Sequence, residues 1–94
     1  MDRNEFKELA KSKIDNLFKH IDELEAKKES VSAEMSKTYD EKINKLKESK
    51  THLQQQYQQL SETADDKWED VKTAFSKSSA SFKNGLDELT KIFN

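Results

Sequence analysis

Apolar residues recur at spacings of three and four along most of the chain, which is the signature of amphipathic helices. The first such stripe holds Phe6, Ala10, Ile14, Leu17, Ile21 and Leu24, with Phe18 widening it, and predicts a helix over about residues 3–29. Two serines and a valine then weaken helix propensity at Glu29-Ser30-Val31-Ser32-Ala33. Ser30 or Ser32 is placed to cap a new helix, although neither is followed at the third position by Glu or Gln to complete a capping box. From this stretch alone, a break and one continuous helix are both open.

A second stripe of Met35, Tyr39, Ile43, Leu46, Leu53, Tyr57 and Leu60 predicts a helix over about 33–61, with Lys50 interrupting it. This segment is the most polar. Five glutamines surround Tyr57 between Gln54 and Gln59, and Lys42, Lys45, Lys47 and Lys50 interleave with Asp40, Glu41 and Glu48. Opposite charges three or four positions apart support a helix by a few tenths of a kcal/mol each, about 0.2–0.5. Such a helix still needs a partner to pack on.

The next boundary falls at Leu60-Ser61-Glu62-Thr63-Ala64-Asp65-Asp66, where Ser61 or Thr63 is expected to act as N-cap. Asp65, Asp66, Glu69 and Asp70 then load the start of a third helix, about 64–92, with charge that suits its dipole. Its apolar positions repeat every eleven residues. Trp68, Val71 and Phe75 follow Tyr57, Leu60 and Ala64, then come Ser79, Phe82 and Leu86, and finally Phe93, with Leu89 and Ile92 broadening the stripe. An eleven-residue period gives about 3.67 residues per turn, which suits straight or slightly right-handed packing. The register runs through the proposed turn.

Composition sharpens the class. There is no proline and one glycine, Gly85, so the turn punctuation that β and α/β folds need is missing. The expected fold is all-α: one helical domain over 1–94, forming an elongated antiparallel helical hairpin or a three-helix bundle with coiled-coil-like packing. With 32% apolar and 38% charged residues, disorder is the rival. The near balance of 17 basic and 19 acidic residues and the regular apolar spacing weigh against it.

Charge and chemistry narrow the function. A net charge of −2 disfavours nucleic acid as a partner. Absence of cysteine removes disulfides and thiolate metal sites. The first residues lack an apolar signal segment, and no apolar run nears the roughly 20 residues that span a bilayer, so a cytoplasmic location is expected.

The stretch from Ile21 to Phe93 resembles a group of small bacterial coiled-coil domain-containing proteins. The residues that carry this are Ile21-Asp22-Glu23-Leu24-Glu25-Ala26-Lys27, Tyr39-Asp40-Glu41-Lys42-Ile43 and, most distinctively, Ala64-Asp65-Asp66-Lys67-Trp68-Glu69-Asp70-Val71-Lys72. The resemblance implies a long helix turning back into a shorter one, and it implies no activity.

Two histidines are the only metal-ligand candidates beyond carboxylates. Glu48 and His52 lie four apart, as do Asn16 and His20, but bundle metal sites need several such pairs facing a core. Two solvated histidines are the simpler reading. No positioned nucleophile, base and pocket are discernible, so neither an enzyme, a cofactor nor a small-molecule substrate is expected. Ser76 to Ser81 reads as small residues permitting close helix approach, and Gly85 as a tolerated glycine, a kink or a seat for a neighbour's side chain.

The interaction residues expected on the third helix are Trp68, Val71, Phe75, Phe82, Leu86, Leu89 and Phe93. They favour a structural or scaffolding protein that self-associates or pairs with a helical partner, the second chain covering the aromatic face. The alternative is a peripheral protein that lays this helix on a membrane or other apolar surface.

Overall fold

The computed structural model describes residues 2–92. Three helices run up, down and up: α1 (Arg3–Ala26), α2 (Ala33–Glu62) and α3 (Trp68–Ile92). Single 3-10 turns at Lys28–Ser30 and Asp65–Lys67 lead into α2 and α3. The result is a three-helix bundle of 50 × 18 × 16 Å. A helix rises about 1.5 Å per residue, so the 30 residues of α2 set nearly the whole length.

The predicted apolar stripes close on one another. Ile14, Leu17, Ile21 and Leu24 of α1, Tyr39, Ile43, Leu53 and Leu60 of α2, and Phe75, Phe82, Leu86 and Leu89 of α3 form one buried cluster. Phe6, Phe18, Val31, Tyr57, Trp68, Val71 and Ile92 pack partly buried around it. At about 25 cal/mol per Å² of apolar surface removed from water, this burial is what turns three individually weak helices into a fold.

The segment around 29–33 does break the helix. α1 ends at Ala26, three residues short of the predicted end, and Val31 and Ser32 are extended, with ψ of 140° and 154°. Ser32 occupies the N-cap position of α2, but its hydroxyl makes no cap bond; its carbonyl accepts from Met35 N–H at 3.1 Å instead. The N-terminus of α1 is capped by its side chain: Asp2 Oδ1 accepts from Glu5 N–H at 2.8 Å.

Thr63 and Ser61 are not N-caps. Ser61 lies inside α2, and Thr63 closes that helix, its N–H donating to Gln59 O at 2.9 Å. Ala64 stands at the head of the 3-10 turn, its carbonyl accepting from Lys67 N–H at 3.0 Å, and α3 starts at Trp68 rather than near 64. Met35 also leaves the predicted stripe, with 37% of its surface exposed. The ion pair of Lys42 with Glu88 sets the level of α2 on α3, which places Met35 at or beyond the last described turn of α3.

Candidate interaction site

The two ends of the bundle are built differently. At one pole, Arg3, the chain's single arginine, reaches from α1 across the end of α2. Its guanidinium donates to Leu60 O at 3.1 and 3.3 Å and to Thr63 O at 2.5 Å, and pairs with Asp65 at 2.9 Å. The last carbonyls of a helix have no partner within it, so a planar fork of donors suits them. The same guanidinium lies 4.8 Å from the Trp68 ring centre, a cation–π contact.

Beside it sits an aromatic cluster. Phe6 meets Trp68 edge-on at 5.7 Å and Phe75 at 6.1 Å, and Tyr57 lies 6.5 Å from Phe75. Further along, Phe18 meets Phe82 at 5.9 Å. Lys50, which interrupts the stripe of α2, places its ammonium 4.9 Å from the Phe18 ring, so its aliphatic stem continues the apolar face.

At the other pole Tyr39 is buried and donates its hydroxyl to Leu24 O in the last turn of α1, which also accepts from Lys27 N–H at 3.2 Å. Burial raises the Tyr39 pKa, because desolvation penalises the phenolate. Glu25 is held below the usual carboxylate range, chiefly by its hydrogen bond from Lys47.

Of the predicted interaction residues, Phe75, Phe82, Leu86 and Leu89 are buried inside this single chain. Trp68 and Val71 are half-buried at the Arg3 pole, and Phe93 lies outside the described residues. The face that sequence reasoning left for a second chain is thus covered by α1 and α2. Ser79 is fully buried, its hydroxyl donating to Ser76 O at 3.0 Å, and it sits in the core as a small residue. Gly85 admits Leu46: a Cβ there would lie 2.7 Å from a Leu46 methyl.

His52 is exposed, whereas half-buried His20 has its Nε2 3.5 Å from Thr90 Oγ1. Among the described residues, no group of three or more His, Cys, Asp or Glu converges as metal ligands would. No helix among them is long and apolar enough to cross a membrane.

Two features escaped the sequence reading. Arg3 was missed because its partners are mostly backbone carbonyls, which no side-chain spacing announces; its being the only arginine was the available signal. The other is Leu9, which stands outside the core with 55% of its surface exposed. Leu9 edges an open groove of about 330 Å³ between α1 and α3, floored by Phe6, Ala10, Phe75 and Ser79 and bordered by Lys13 and Lys72. Compared with known proteins, the chain matches no family model, no curated protein and no solved structure.

Proposed function

We propose that the chain is a non-enzymatic structural or scaffolding module of the cytoplasm, of the small bacterial coiled-coil kind, that acts by helix association and first of all with copies of itself. The observation that carries this reading is the division of its surface. The apolar stripes are spent on one another inside a 50 Å rod. What faces outward is helix surface bearing both signs of charge, with isolated apolar positions such as Leu9. Surfaces of that kind recognise other helices through complementary charge and a few apolar anchors. Sedimentation equilibrium from about 10 µM to 1 mM tests it, a range that spans weak association. A mass that rises with concentration is expected; a monomer throughout overturns self-association.

A second reading is favoured by one observation: α3 carries an apolar face from Trp68 to Leu89, interrupted by Ser79 and turned inward onto α1 and α2. Uncovered by release of α1 at the turn that follows it, that face would suit a lipid or other apolar surface. It requires the bundle to open. Flotation of the protein with neutral and anionic vesicles, with a blue shift of Trp68 fluorescence, would support it; no flotation removes it.

A further inference from the structure

We infer that Leu9 and its flanking charges form the contact through which two copies of this chain pair, with their α1 helices antiparallel about a twofold axis. The inference rests on the self-association proposed above and names its surface.

Leu9 is one of two large hydrophobic residues exposed among the described residues. Glu5, Leu9 and Lys13 are spaced by four, so they line up along one flank of α1, with Leu9 midway between an acid and a base. Glu5 and Lys13 are exposed, and neither has an ion-pair partner among the described residues. A twofold contact is isologous, so each surface must complement itself. Rotation about an axis through Leu9 sets Leu9 against Leu9 of the second copy and Glu5 against the other copy's Lys13, twice.

The groove between α1 and α3 adds relief to this face. It opens directly beside Leu9 over Phe6, Ala10 and Phe75, and gives the second copy's leucine an apolar floor to lie on. Lys72 on the far bank is engaged within its own chain, 5.4 Å from the Phe6 ring centre. The charge order of acid, leucine, base is what selects a second copy. A lipid surface or a fatty carboxylate would use the lysines and find Glu5 in its way. A contact anchored on one leucine per copy is small, so the dimer is weak and concentration-dependent.

The test is sedimentation equilibrium of the full chain and four variants, with helicity and melting recorded for each. Leu9→Ser should weaken the dimer at least about tenfold and lower the melting temperature of the monomer by no more than a few degrees (about 5 °C), because the side chain is more than half exposed. Glu5→Lys alone or Lys13→Glu alone should each weaken it by setting like charges together. The double variant Glu5→Lys/Lys13→Glu should restore it, since the pairs re-form with signs exchanged. A dimer indifferent to Leu9→Ser, or a double variant no better than the singles, overturns this surface while self-association itself stands. A monomer at every concentration overturns both.

Discussion

Single residues close the ends of this bundle more than its middle. Arg3 satisfies two carbonyls at the end of α2 while bridging to Asp65 and stacking on Trp68. Hydrogen bonds to a charged donor are worth about 1.5–3 kcal/mol when their partners are withdrawn from water, less where water can reach. Arg3→Ala is therefore expected to destabilise by about 1–3 kcal/mol. Arg3→Lys should recover only a minor part, because an ammonium cannot span the same set of acceptors. Thermal melting resolves this, since 1 kcal/mol moves Tm by about 4–8 °C in a domain of this size. Tyr39 closes the opposite pole. Its pKa is raised in the folded state, so the stability it contributes is fully present below the unfolded value, about 10, and is lost as pH rises above it. Melting from pH 8 to 11.5 should show this alkaline decline for the parent chain. Tyr39→Phe should start lower, having lost the bond to Leu24 O, and decline less steeply.

At the scale of the elements, the turn between α1 and α2 makes the sharpest prediction. Ser32 is extended at φ −60° and ψ 154°, which is the geometry a residue preceding proline prefers. Ala33 follows as the first helical position, where proline's missing N–H is no loss. Ala33→Pro should leave stability unchanged or raise it by up to about 1 kcal/mol, read by urea unfolding. A helix continuous through 29–33 would instead lose about 3 kcal/mol or more. The helices themselves were legible in the sequence because burial on one side imposes a period of three and four, and the stripes of α1, α2 and α3 reach the core almost as spaced. Their ends were less so. Backbone groups, not side chains, close α2 at Thr63 and open the turn at Ala64, so the serine and threonine signals misled. Asp2 with Glu5 three positions later was the stronger capping signal, and it lay outside the apolar pattern. The eleven-residue spacing runs through the turn at 63–67, but the helix does not, and Ala64 of that series is exposed. What no stripe could tell was who covers it. Phe75 and Phe82 read equally well as surface for a second chain or as core, and only the packing of Phe6, Phe18 and Tyr57 against them decides.

The whole molecule is held unequally around its three seams. α3 lies tightly on α2, where Gly85 lets Leu46 in and Lys42 pairs with Glu88. The seam between α1 and α3 is the most sparsely packed, with the Leu9 groove at its Arg3 end and the Phe18–Phe82 contact further along. If the bundle opens toward an apolar surface, hydrogen exchange should show α1 exchanging before α2 and α3, because the helix with the looser seams is released at least cost. Uniform exchange of all three helices would mean one cooperative unit. An odd number of helices has a further mechanical meaning. Because the chain runs up, down and up, residue 2 and residue 92 emerge at opposite poles of a body 50 Å long. Anything attached to the two termini is held apart by a stiff strut, whereas a two- or four-helix arrangement would bring its attachments together. Tension applied through the termini would load all three helices lengthwise, in shear rather than by unzipping. The chain contains no cysteine, so a spin-label pair introduced at positions 2 and 91 reads that span directly.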